Sequence, residues 1–147
     1  MYRTSGEPPP LVIATIADIV TALDRRTGER VWTVALKAHR MVVADDCVVV
    51  VSLEPKSLLG VDFVPVVTGL DFATGARRWQ LKLSAGVSLD VTVMIERDQI
   101  LVAAMGMLTA ISFVDGSVQW HQALLGDSGQ HRPVALAVPG RSQQADR

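Results

Sequence analysis

The chain has 147 residues, of which 49% are hydrophobic, 20% charged and 5% aromatic, with a formal charge of −1. That length suits one domain, and the apolar content excludes wholesale disorder. Near-balanced charge excludes an overall footprint for nucleic acid or an anionic membrane, and the single cysteine, Cys47, excludes an internal disulfide and any multi-cysteine metal centre.

Residues 1–10 read as an irregular arm. Arg3 is offset by Glu7, Pro8-Pro9-Pro10 follows, and no small-residue cleavage site or lipidation cysteine comes after. A mean hydropathy of +0.30 calls for a test of membrane insertion. The longest apolar stretch, residues 11–23, is interrupted by Asp18 and falls short of the roughly 18 residues that a helical span needs. The expectation is a soluble, cytoplasmic chain without a membrane span.

From Leu11 onward the apolar runs are short and β-branched: Leu11-Val12-Ile13, Val48-Val49-Val50-Val51 and Ile100-Leu101-Val102. Turn signals separate them, at Thr27-Gly28, Asp45-Asp46, Thr74-Gly75, Asp98-Gln99 and Asp115-Gly116. No stretch sustains a helical period. The pattern predicts an all-β protein.

The chain also repeats itself. Residues 20–32, 67–79 and 108–120 align so that a glycine (Gly28, Gly75, Gly116) precedes a tryptophan (Trp32, Trp79, Trp120) by four residues. Leu36, Leu83 and Leu124 follow four residues later, and the Trp-to-Trp spacings are 47 and 41. Such a period suits a four-stranded propeller blade, with blade motifs at about 11–46, 47–98 and 99–140 and a polar tail at 141–147. Within each copy the chemistry is that of a hairpin. Asp24 and Asp71 accept hydrogen bonds at the turn entry, Thr27 and Thr74 bond locally, and the glycine takes a positive φ. The third copy has Ser112 and Asp115 at these places. The tryptophan returns on the next strand, where only a stacked neighbouring blade can bury it.

These residues resemble the quinoprotein-type, or PQQ-like, β-propeller repeat, whose tryptophan-docking pattern is Ala-x-Asp-x-x-Thr-Gly-x-x-x-Trp. Ala22, Asp24, Thr27, Gly28 and Trp32 match it in full. Asp71, Thr74, Gly75 and Trp79 match with Gly69 in place of the alanine, and Ala110, Gly116 and Trp120 keep three positions. The resemblance covers about residues 11–138. It implies three antiparallel blades, a partial or self-associating propeller. Its known members include cofactor-dependent alcohol and sugar dehydrogenases and an outer-membrane assembly lipoprotein. In the enzymes the quinone sits on the propeller axis beside calcium, a catalytic aspartate and often a disulfide of adjacent cysteines.

This chain offers no such constellation, so no cofactor, metal or catalytic residue is expected. Asp24 and Asp71 read as turn residues, and Asp45-Asp46 as a hairpin turn. His39, His121 and His131 fit no compact metal motif. Cys47 reads as a buried, inert thiol. Arg25-Arg26, Arg77-Arg78 and Arg97 read as a solvated rim. Three blades do not make a comfortable ring, and an open arc exposes two blade faces. Closure by association is therefore expected, with two chains giving six blades or a larger propeller supplying the rest. The leading function is a non-catalytic scaffold or protein-interaction module. Residues 54–64 read as an enlarged loop whose Leu58, Leu59, Val61 and Phe63 form the candidate contact. The runner-up is a binding module for a small ligand on the ring axis, and the third reading is part of a quinoprotein dehydrogenase.

Overall fold

The computed structural model describes residues 10–56, 58, 62–84, 90–124 and 134–143. These residues are all-β. Four antiparallel sheets follow one another along the chain. The first holds β1 (Leu11–Ile16), β2 (Ile19–Asp24) and β3 (Arg30–Ala35). The second holds β4 (Arg40–Ala44), β5 (Cys47–Pro55), β6 (Phe63–Asp71) and β7 (Arg77–Lys82). The third holds β8 (Val91–Glu96), β9 (Gln99–Ala104), β10 (Met107–Ser112) and β11 (Val118–Ala123), and the last is the hairpin β12 (Leu136–Val138) and β13 (Arg141–Gln143). Within each sheet the strands pair in sequence order, so the first three sheets are meanders. Among the described residues no helix is long and apolar enough to cross a membrane.

The sheets stack face to face, and the pleat explains the unbroken apolar runs. Successive side chains on a strand point to opposite faces. On β5, Val48 and Val50 pack with Val20, Ala22, Trp32, Leu70 and Phe72 against the first sheet. Cys47, Val49 and Val51 pack with Trp79, Val93 and Val102 against the third. Both faces of the second sheet are thus covered, so its central strand has no polar alternation. Leu101 and Ala103 of β9 turn the other way, toward Leu136 of the last hairpin. Thr92 Oγ1 on β8 donates to the Val134 carbonyl at 2.5 Å and ties that hairpin down. The sheets come closest at β4, β8 and β12, the first strands of three successive sheets, which marks the narrow side of the stack.

Three details differ from the sequence reading. The blade motifs placed at about 11–46, 47–98 and 99–140 are cut in another phase from the sheets, because β4 pairs with β5 and not with the first sheet. The repeat's strongest signals lie in the last hairpin of each sheet and say nothing about where the next sheet begins. The enlarged loop at 54–64 is strand at both ends, since Glu54 pairs with Val64 and Pro55 with Phe63, giving nine-residue strands β5 and β6. Arg141–Gln143, read as the start of a polar tail, forms β13.

Candidate functional site

The tryptophan hairpins are the chemically distinctive part of each sheet. β2–β3, β6–β7 and β10–β11 enclose the same turn. Its mouth is closed by Asp24 N–H to Glu29 O, Asp71 N–H to Ala76 O and Ser112 N–H to Ser117 O, each 2.8 Å. Inside, the Gly28 and Gly75 N–H groups donate to the Asp24 and Asp71 carbonyls at 2.8 Å, and Gly116 N–H donates to Ser112 O at 2.9 Å. Side chains complete the turn. Asp24 Oδ1 accepts from Arg26 N–H at 2.8 Å, Asp71 Oδ1 from Ala73 and Thr74 N–H at 3.0 Å, and Ser112 Oγ from Val114 N–H at 3.3 Å. Thr27, Thr74 and Asp115 each accept the N–H of the residue two places on, at 3.2, 3.2 and 3.0 Å. The Arg26 main-chain N–H holds the Asp24 carboxyl below the ordinary carboxylate range, and the Ser117 hydroxyl does the same for Asp115.

The glycines have φ of +77° (Gly28), +75° (Gly75) and +73° (Gly116). Gly75 and Gly116 are also seats. A Cβ on Gly75 would lie 2.6 Å from the Trp32 ring, and one on Gly116 would lie 2.5 Å from the Trp79 ring. Each indole N–H finds a main-chain acceptor three residues before its glycine. Trp32 Nε1 donates to Phe72 O at 3.0 Å, and Trp79 Nε1 to Phe113 O at 3.3 Å. Gly69, where the first and third copies have Ala22 and Ala110, pairs with Trp79, and its missing Cβ leaves room for that ring.

The third tryptophan departs from the expectation of burial between blades. Trp120 is 44% exposed, against 8% for Trp32 and Trp79. The sheet beyond it is the two-stranded hairpin β12–β13, which presents no such turn over Trp120. Conversely, a Cβ on Gly28 would meet nothing within 4 Å, so no ring of the described residues sits on the first seat. Leu124 is exposed as well, whereas Leu36 and Leu83 pack against the cores.

The remaining candidates fall apart from one another. Arg78, read as a solvated rim residue, is instead the centre of an ionic cluster. Its Nη1 and Nη2 donate to Asp46 Oδ1 and Oδ2 at 3.1 and 3.0 Å, and Nη2 also reaches Asp71 Oδ2 at 2.8 Å. The guanidinium holds both carboxyls below their usual range, and they push its own proton affinity up. Asp71 alone would have hinted at this contact, but Asp46 lies 32 residues away in sequence. Cys47 is buried, and burial pushes its thiol up, away from thiolate chemistry. Of the proposed contact residues, Leu58 is fully exposed and Phe63 is half-buried on β6, while Leu59 and Val61 lie outside the described residues, as does His131. No group of three or more metal-ligating side chains occurs among the described residues. A cleft of about 300 Å³ lies between the second and third sheets, lined by Pro65, Lys82, Met105, Met107, Thr109 and His121 among others. The innermost strands β4, β8 and β12 contribute nothing to its wall.

Comparison with known proteins fits this architecture. The chain is similar to BamB from Moraxella catarrhalis (23% identity, TM-score 0.58, covering 77% of this chain and 33% of that one). It is also similar to the quinohemoprotein alcohol dehydrogenase ADHIIG from Pseudomonas putida HK5 (16% identity, TM-score 0.58, 92% and 29% covered). The quinohemoprotein alcohol dehydrogenase from Comamonas testosteroni is a further likeness (15% identity, TM-score 0.55, 78% and 19% covered). The chain therefore spans a third or less of the length of these structures, and at such identities the likeness speaks for the fold. No curated protein sequence matches it. The family described as outer membrane protein assembly factor BamB matches residues 11–143, nearly the whole chain. This chain belongs to that family, and with it to the PQQ-like β-propeller repeats.

Proposed function

We propose that the chain is a non-catalytic propeller segment that serves as a scaffold and protein-interaction module within a homo-oligomer or a larger complex. One observation carries the reading. The stack of sheets presents an apolar tryptophan-bearing face at one end and a matching empty seat at the other, and exposed apolar faces of this kind mark interaction sites. The family's printed description, an outer-membrane protein assembly factor, supports a role in assembling with other proteins. The exposed tip at Leu58 belongs to the proposed contact surface. A cytoplasmic location is part of the proposal. The family description points instead to the cell envelope, and fractionation of cells producing the protein decides between the two.

The dehydrogenase relatives supply the rival reading. The experiment is dye-linked oxidation of alcohols and sugars by the purified chain, with added quinone cofactor and calcium. Inactivity together with defined protein–protein association is the expected result. Cofactor-dependent turnover overturns the module reading. The cleft between the second and third sheets offers a second binding site, for a small ligand. A rise in melting temperature with ligand concentration is its signature.

A further inference from the structure

We propose that Trp120 of one copy of this chain seats on the Gly28 turn of a second copy, donating its indole N–H to the Arg25 carbonyl there. The contact is already made twice inside the chain, by Trp32 over Gly75 and by Trp79 over Gly116. In both cases the acceptor carbonyl stands three residues before the glycine, on Phe72 and on Phe113. At the first turn that position is Arg25. Its backbone is held in the same way as theirs. Arg25 N–H donates to Pro10 O at 2.8 Å, as Phe72 N–H does to Asp46 O (2.8 Å) and Phe113 N–H to Asp98 O (3.0 Å). Gly28 shares the left-handed φ of the two occupied seats, and among the described residues nothing lies within 4 Å of a Cβ placed there.

The surroundings match in the same way. Register places Val12 on β1 where Val48 stands on β5 and Ile100 on β9, each one residue along from the partner of the turn-entry residue. Val48 and Ile100 are 0% exposed beneath the neighbouring sheet, and Val12 is 45% exposed. Plug and socket lie on opposite end sheets of one chain, so two copies related by a two-fold axis make the contact twice. Two copies, each giving and receiving one tryptophan, bring six motif-bearing sheets together. That number is within the range of closed propellers. The β12–β13 hairpin covers the inner part of the Trp120 face, packing Leu136 on Met94, Leu101 and Ala110. The incoming β1 takes the place beside β12 that β13 holds in the single chain. The edge of β1, paired only with β2 among the described residues, thereby gains a neighbour.

This deepens the interaction-module reading by naming its partner. The test is sedimentation of the 147-residue chain over a wide concentration range, with Trp120 emission followed in parallel. The expected result is a two-copy species, with the exposed-indole emission moving to the blue as it forms. Trp120→Ala and Gly28→Asn each weaken the association by about tenfold or more. Asparagine tolerates the left-handed backbone, and its Cβ would meet no atom within 4 Å in its own chain, so the side chain adds bulk at the seat. An unchanged far-UV spectrum and melting temperature of diluted Gly28→Asn show that the fold has survived. A monomer at every concentration overturns the interface, as does association that neither variant weakens. Neither result touches the module reading, which only cofactor-dependent turnover overturns.

Discussion

A single tryptophan position behaves in two ways in this molecule. Trp32 and Trp79 are buried, hydrogen-bonded to a main-chain carbonyl of the next sheet and seated over a glycine, whereas Trp120 is not. Truncating a buried aromatic costs about 3 to 5 kcal/mol. Trp32→Ala and Trp79→Ala are therefore expected to lower stability by about that much. Trp120→Ala should stay within about 0.5 kcal/mol in the monomer. Denaturant titration of dilute protein measures both. The glycines divide likewise. An added Cβ at Gly75 or Gly116 meets the indole ring and a left-handed φ together, an expected loss of about 3 kcal/mol. Gly28→Ala meets only the backbone strain, about 1 kcal/mol. Equal losses at the three positions would refute the seat. The turn chemistry was legible because it is local: the hydrogen bonds that close and fill the turn span at most five residues. The exposure of Trp120 was not legible, because it depends on a turn in another sheet.

At the level of the element, the Asp46–Arg78–Asp71 cluster pins the β4–β5 turn to the β6–β7 hairpin. Both carboxyls are held below their ordinary range, so the unfolded chain binds protons at a higher pH than the folded one. The cluster's stabilisation is present above the ordinary carboxylate pKa, about 4. It fades as the pH falls through the lowered folded values. Arg78→Gln should cost about 1 kcal/mol near neutrality, since the pairs are partly exposed. The gap from the parent should narrow toward pH 3 and in high salt. Chemical denaturation at both pH values checks this, and a gap that widens in acid would contradict it. The strands themselves were readable from their β-branched runs. The pairing of β4 with the second sheet was not, because a short apolar strand between two turns suits either neighbour equally well. The inner ends of the long β5–β6 hairpin, 54–55 and 63–64, were taken for loop because Pro55 and Gly60 interrupt the pattern there. Pro55 nevertheless sits at the very end of its strand, where its missing N–H costs the ladder little.

For the whole molecule, stability is a nearest-neighbour property. The second sheet is covered on both faces, the first on one, and the third partly on its outer face. Repeat stacks of this kind open from their ends. Amide exchange is therefore expected to be slowest in β5, β6 and β9 and fastest in β1, β3 and β11. In the two-copy assembly, protection should rise in β1 and β11 more than in β5. Uniform protection across the three tryptophan-bearing sheets of the monomer would contradict the stacked account. The propeller architecture could be read from the repeat, since one period of blade chemistry implies a stack. What covers the two end faces could not, because nothing in the spacing of residues reports on a second chain.

The indole-to-carbonyl bonds of Trp32 and Trp79 reach 40 and 34 residues forward. On a ribosome the acceptor is therefore synthesised well after the donor. At about 5 to 20 residues per second, the Trp32 ring waits roughly 2 to 8 s for its seat. Each nascent blade passes through an interval with its large aromatic side chain exposed, and the next blade ends it. Trp120 enters the same interval last, and within one chain nothing described ends it. The nascent polypeptide is thus most vulnerable to mispairing and chaperone capture for as long as a tryptophan stays unseated.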